Sequence, residues 1–182
     1  MKYSKYFKDY NNSIYNLLDS FDTSLIDKSV ELILDCKKNN GKVYVVGNGG
    51  SSSIASHVSV DLAKVANIPS DTFNNTNLIT CFANDYGHDN WIKEAIKAYT
   101  NQNDILILLS SSGTSKNILN AAQYCKDNKI SLITLSGFNT DNPLTQLGNV
   151  NIHIPSNKYN FIEMAHHIIL VSIVDVFAEN LI

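Results

Sequence analysis

DILILLSSSGTSKNIL, residues 104–119, decides how the chain folds. Residues 105–109 are an uninterrupted apolar run. A run that short, with no polar alternation, reads as a strand buried on both faces, the kind found in parallel sheets. It stops at three serines, Gly113, Thr114 and a fourth serine, Ser115. Apolar positions then recur at helical spacing through residue 128. A buried strand, a hydroxyl-rich turn and a helix make one repeating unit of an open α/β sheet.

Working outward, the same alternation recurs. Residues 3–20 read as a helix with Tyr6, Tyr10, Ile14, Leu17 and Leu18 on one face. Residues 23–38 form a second helix, with Thr23 or Ser24 as its cap. KVYVVG (42–47) is a buried strand and 51–66 a helix. A short strand at 71–73, a helix at 89–99, strands at 131–137 and 149–154, and a long apolar helix at 160–181 complete the order. Strands alternating with helices predict a parallel sheet with helices on both faces, binding ligands at the carboxyl ends of its strands. No repeat and no Pro/Gly/Ser linker divides the chain, so residues 1–182 are expected to form one domain. The last helix is apolar nearly all round and requires burial, within the domain or against another subunit.

Composition narrows the function. The length of 182 residues, with 44% hydrophobic and 17% charged residues, is that of an ordinary globular domain. A net charge of -3 gives no reason to expect a nucleic-acid or membrane partner. The C-terminal apolar stretch carries Glu163, His166, His167 and Asp175, so it is not read as transmembrane. Cys36, Cys81 and Cys125 have neither metal nor disulfide spacing. With the polar N-terminus this predicts a cytoplasmic protein. All fourteen basic residues are lysines. Any phosphate must therefore be held by hydroxyls, backbone amides or lysine rather than by a guanidinium fork.

VVGNGGSSS (45–53) repeats the logic of 104–119: a buried strand, a tight glycine turn, a helix. Glycines let backbone approach a ligand, and the helix start offers free N–H groups and partial positive charge. Ser52 stands where a dinucleotide fingerprint needs its third glycine, and the Gly-Lys-Ser/Thr of a Walker loop is absent. The plain alternative is that Ser, Thr and Gly only cap helices. Two such turns at the ends of buried strands, one with four hydroxyls, favour a phosphate cradle. Ser110, Ser111, Ser112 and Ser115 would donate to one phosphate lying at a helix start.

GNGGSSSIASHVSVDLAK (47–64), FANDYGHD (82–89) and LLSSSGTSKNIL (108–119) resemble the sugar isomerase (SIS) domain family. Within it, the GNGGS turn followed by a histidine and the Asn-Asp-Tyr-Gly stretch resemble the phosphoheptose isomerase branch. The resemblance implies a flavodoxin-like three-layer α/β/α sandwich and a homotetramer with active sites between subunits, using residues 1–40 in oligomer contacts. It implies conversion of sedoheptulose 7-phosphate to D-glycero-D-manno-heptose 7-phosphate on the way to lipopolysaccharide or capsule, with zinc bound in many members. It places Asn48, Gly49, Gly50, Asn84, Asp85, Ser110, Ser111, Ser112 and Ser115 at substrate positions, with Ser51 closing the first turn, and His57 at a metal position.

Three positions depart from the family. Its Glu one turn after the histidine is Asp61 here. Its Gln on the last helix is Glu163, a carboxylate costly to bury unpaired. Its histidine eight residues further on is Val171. His167, four residues after Glu163, is the candidate replacement, whereas His166 reads as a hydrogen-bonded core histidine. His88 and His153 read as ordinary surface or turn residues. The expected set is then Asp61, Glu163 and His167 as catalytic groups, Asp61 as base with Glu163 competing for that role, and His57, Asp61, Glu163 and His167 around a zinc ion. Loss of the histidine at Val171 also admits a non-catalytic SIS protein that binds or assembles partners such as a replication initiator. The altered acids admit an isomerase of another phosphosugar.

Overall fold

The structure is a computed structural model and describes residues 2–179 and 181. Five strands, β1 (Val43–Gly47), β2 (Ser70–Asp71), β3 (Ile105–Ser110), β4 (Ser131–Ser136) and β5 (Val150–His153), form one sheet in the order β2-β1-β3-β4-β5. All pairings are parallel. This is the flavodoxin-like doubly wound order. Among the described residues seven α-helices flank it: α1 (Lys2–Asp19), α2 (Ser24–Lys38), α3 (Gly50–Lys64), α4 (Thr76–Tyr86), α5 (Trp91–Tyr99), α6 (Lys116–Asp127) and α7 (Tyr159–Ala178).

The pleat of β1 and β3 divides their side chains between two cores. Val43, Val45, Ile105, Ile107 and Leu109 face one side, where α2, α3 and α7 pack. Tyr44, Val46, Leu106 and Leu108 face the other, against α5 and α6 with α4 at the margin. Every residue of β1 and β3 is buried, which is why their sequence shows no alternation.

Two expectations change. Residues 74–88, to which the sequence pattern assigns no element, contain α4, and Asn84 and Asp85 occupy its last turns. Asn75 caps it, its Oδ1 accepting from the N–H groups of Asn77 (2.9 Å) and Leu78 (3.3 Å). Leu78, Ile79, Phe82 and Ala83 give it an apolar face, but none of its residues is fully buried, so its pattern is weak. The start of α2 is held by neither Thr23 nor Ser24 side chains. Asp22 Oδ1 accepts from Ser24 N–H at 3.0 Å, and these bonds to Ser24 hold the Asp22 carboxyl below its ordinary range.

By length and composition α7 could cross a membrane, yet half of it is buried inside the protein. Phe161, Ile162, Ala165, His166, Ile169, Leu170, Ile173, Val174 and Phe177 make a continuous inward stripe, so it is a core helix. His166 is fully buried, its Nε2 facing the Ser136 carbonyl at 3.0 Å and its Nδ1 without a hydrogen-bond partner among the described residues. Burial pushes its imidazole down to about 4. The unfolded chain takes up that proton near pH 6.5, so between about 6.5 and 4 the unfolded state binds more protons and stability falls as the pH drops. Urea unfolding should show His166 contributing a loss of about 2 kcal/mol between pH 7 and pH 5. A folded His166→Gln variant should lose that part of the slope, and an unchanged slope would contradict the assignment.

Candidate active site

The adjacent strands β1 and β3 send their chains to opposite faces of the sheet, β1 into α3 and β3 into α6. That divergence opens a crevice at their carboxyl ends, the usual binding place of a doubly wound sheet. Both glycine and serine turns lie on it. A reciprocal carboxamide pair joins them. Asn48 Nδ2 donates to Asn117 Oδ1 and Asn117 Nδ2 to Asn48 Oδ1, each at 3.0 Å. Asn117 is buried in the first turn of α6, and its Oδ1 also accepts from the Ile118 N–H at 3.0 Å.

In the serine turn, Ser110 Oγ donates to Ser115 Oγ at 3.1 Å, and Ser112 Oγ accepts from Thr114 Oγ1 at 3.0 Å. Ser111 Oγ is buried and has no hydrogen-bond partner among the described residues. Gly113 has φ +66°, and a Cβ there would collide with the Asn142 carboxamide. Asn142 in turn is fixed by Nδ2 bonds to Ser136 Oγ and to the Gly137 and Asn139 carbonyls. Ser115 precedes α6 without a side-chain cap bond, which leaves the start of the helix open to an anion.

A pocket of about 150 Å³ lies between the turns. The four serines, Asn48 and Ser51 line one side, and Tyr159 and Glu163 of α7 the other. Glu163 reaches it because Gly50 lacks a side chain: a Cβ on Gly50 would run into the Glu163 carboxylate. That carboxylate therefore rests over the start of α3, where the helix end is partly positive. No lysine lines the pocket. A larger cavity of about 570 Å³ between β2 and α4, walled by Tyr44, Phe73, Phe82 and Tyr99, holds none of the expected residues.

One turn along α7, His167 meets α3. His57 Nδ1 and His167 Nε2 are 2.7 Å apart, and His57 Nε2 is 3.0 Å from Asp61 Oδ2. A carboxylate only accepts, so neutral His57 donates from Nε2 to Asp61 and accepts at Nδ1 from His167 Nε2–H. Burial, and then the neighbouring His57 ring, push the His167 imidazole below its ordinary value, with Asp61 opposing.

The expected residues thus fall into three groups. Asn48, Ser51, the four serines and Glu163 line the pocket, with Gly49 and Gly50 in its turn. His57, Asp61 and His167 form a hydrogen-bonded chain beside it. Asn84 and Asp85 bond to each other at 3.0 Å on an exposed helix end and do not line the pocket. Sequence reasoning missed Asn117, Asn142 and Tyr159. Two buried carboxamides beside glycine turns were the only available signal for the first two.

The donor types His57, His167, Asp61 and Glu163 suit zinc, but their placement in one chain does not. Zinc takes three or four convergent protein ligands. Here only His57 Nδ1 and His167 Nε2 converge, Asp61 stands at the far nitrogen of His57, and Glu163 lies over Gly50. Among the described residues no group of three His, Cys, Asp or Glu side chains could hold a metal. The expected zinc set is not assembled within one chain, and no chemical step below is routed through it.

The switch-point crevice of this doubly wound sheet carries a hydroxyl-rich turn suited to an anion, and comparison places the chain. The chain belongs to the SIS domain family, whose pattern matches residues 5–137. Within that family it stands with the phosphoheptose isomerases. It is 32% identical over 154 residues to phosphoheptose isomerase 2 of Campylobacter jejuni, covering 80% of this chain and 75% of the relative. It is 30% identical over 148 residues to the phosphoheptose isomerase of Helicobacter pylori, covering 78% and 77%. The structure of a phosphoheptose isomerase from Francisella tularensis superposes with a TM-score of 0.85 at 26% identity, over 98% of this chain and 97% of that one.

The Asn48–Asn117 pair yields a prediction. Asn117→Ala leaves the Ile118 N–H without its side-chain acceptor and uncouples the turns, so urea unfolding should report a loss of about 1–3 kcal/mol. Calorimetric affinity for inorganic phosphate should fall as well. A stable variant with unchanged phosphate affinity would show that the pair does not hold the site.

Proposed function

We propose that this chain is a phosphosugar aldose–ketose isomerase that converts sedoheptulose 7-phosphate to D-glycero-D-manno-heptose 7-phosphate, a precursor for lipopolysaccharide or capsule. The observation that carries the reading is the buried, unpartnered Ser111 hydroxyl, set among Ser110, Ser112 and Ser115 at the open start of α6. A buried hydroxyl left without a partner costs free energy unless a ligand accepts from it. A phosphate ester supplies acceptors, and its charge suits the helix end.

The reaction moves a proton between C1 and C2 through an enediol, with a base at carbon and an acid at the carbonyl oxygen. Sequence reasoning favours Asp61 as base. The geometry favours Glu163, which faces the pocket with no hydrogen bond or ion pair among the described residues, whereas Asp61 accepts from His57. In this reading Glu163 takes the proton from C1 of the ketose and returns it to C2 of the enediol, while O1 loses a proton and O2 gains one. The chain His167–His57–Asp61 exchanges protons with the sugar oxygens, Asp61 fixing the ring of His57 as a carboxylate orients an imidazole in hydrolytic triads. Val171 packs partly buried against the core, and His167 supplies the imidazole one turn earlier on the same side of α7. That substitution supports an enzyme over a non-catalytic binding protein.

We infer a homotetramer, in the cytoplasm, with sites completed by a second subunit. The serine pocket, about 150 Å³, is smaller than the about 300–1,000 Å³ usual for small-molecule sites. Beside it, α1 buries none of its residues and exposes Tyr3, Phe7 and Tyr15, and α7 exposes Met164 (40%) and Ile168 (44%). Such apolar surface suits contact with another copy.

NMR of the protein with sedoheptulose 7-phosphate in deuterium oxide tests the reading. The wild type should incorporate deuterium and form the aldose. Glu163→Gln should lose about 10²–10⁴-fold in exchange, the usual worth of a positioned base, while still binding inorganic phosphate. Full exchange in Glu163→Gln together with loss in Asp61→Asn would return the base role to Asp61. A wild type that binds without exchange would end the isomerase reading.

A further inference from the structure

Tyr159 opens α7 and has no part in the proton chemistry. Its ring lines two pockets. One is the serine pocket; the other, about 280 Å³, lies between α1 and the start of α7 and is lined by Tyr6, Tyr10, Lys158, Asn160 and Phe161. The residue is 57% exposed, and its phenol oxygen makes no hydrogen bond among the described residues. It is nonetheless held. Phe138 packs on it with centroids 4.8 Å apart at 59°. Phe138 itself sits at φ +56°, a conformation uncommon for a bulky residue, secured by its N–H donating to the Ser156 carbonyl at 2.9 Å. Strain of that kind persists where surrounding structure enforces it, and it clusters at ligand-binding sites.

Tyr159, Glu163 and His167 follow at four-residue spacing and so lie on one side of α7. A sugar phosphate held by the serine turn has two ways to run: along that row toward Glu163 and His167, or past the Tyr159 ring into the α1 pocket. The second route offers aromatic faces, the Asn160 amide and the Lys158 ammonium, which lies 4.7 Å from the Phe161 ring centre. That chemistry also receives a polyhydroxylated chain. We propose that Tyr159 is the specificity-determining wall of the site, closing the α1 pocket to the carbon chain and directing it along α7 so that C1 and C2 meet Glu163. This rests on the sugar-phosphate reading above.

Three forms decide it: wild type, Tyr159→Phe, which keeps the ring, and Tyr159→Ala, which removes it. Inorganic phosphate should bind all three within about twofold, because the serine turn is untouched. With sedoheptulose 7-phosphate, Tyr159→Ala should lose about 10²-fold in kcat, as expected for a misplaced reacting carbon, with little change in Kd. Tyr159→Phe should stay within about threefold of wild type, because the ring is kept and the phenol oxygen has no hydrogen bond to lose. Transferred NOEs from sugar protons to Tyr10 and Phe161 ring protons should be absent in wild type and present in Tyr159→Ala. That readout needs no turnover, so it stands even if the isomerase reading fails. Wild-type NOEs to Tyr10, no such NOEs in Tyr159→Ala, or phosphate affinity lost with the ring would each overturn the proposal.

Discussion

The two 3.0 Å hydrogen bonds between Asn48 and Asn117 are the constraint on which the site depends. A doubly wound sheet opens a crevice where neighbouring strands send their helices to opposite faces, and nothing in the sheet itself fixes the width of that opening. Two carboxamides facing each other pair one N–H and the oxygen of each at once, with Asn117 buried. The pair ties the β1 turn to the first turn of α6, which also carries the serine cradle. Gly113 and Asn142 secure the other side of the cradle through a contact that admits no Cβ. The hydroxyls are thus positioned before any ligand arrives, so binding does not have to order them.

This pre-positioning matters because the chain has no arginine and no lysine lines the pocket. An anion there must rely on hydroxyl donors, N–H groups and the partial charge of a helix end, each worth about 0.3–2 kcal/mol. Glu163 adds an opposing charge to the same pocket. The structure offsets this by resting that carboxylate over the start of α3, across Gly50, while the cradle lies at the start of α6. Each of the two helix starts in the crevice thus suits one anion, one internal and, in the proposed reading, one from the ligand.

Much of this was legible in the sequence, and for definite reasons. Strands β1 and β3 are buried on both faces, so their unbroken apolar runs exposed them, and their parallel pairing followed from the intervening helices. The serine turn stood out because four hydroxyls exceed what a helix cap requires. The helix α4 was hidden because it lies at the margin of the second core, half exposed, behind asparagines that resemble a loop until Asn75 is seen to cap it. Asn117 was hidden for a different reason. A polar residue in the first turn of a helix ordinarily faces water, and only the approach of α6 to the β1 turn buries it. The spacing of Asp61 from His57 put both on one face of α3, as they are, but spacing alone could not show that the carboxylate bonds the imidazole Nε2 at 3.0 Å.

The division of labour on α7 explains how the departures from the family can coexist with an intact fold. Its core stripe, from Phe161 to Phe177, is apolar apart from neutral His166 and carries the packing against α2 and α3. Tyr159, Glu163, His167 and Val171 run along the flank of that stripe, one about every 6 Å of helix. Substitutions in this row exchange chemical groups without disturbing the buried side chains. His167 places an imidazole one turn before Val171, and the carboxylate of Glu163 is accommodated because Gly50 opens the start of α3 to it. Because the row begins at the serine turn and leads past the α3 histidine, the order of groups along the helix is also the order in which an extended sugar phosphate would meet them: phosphate end, reacting carbons, proton chain.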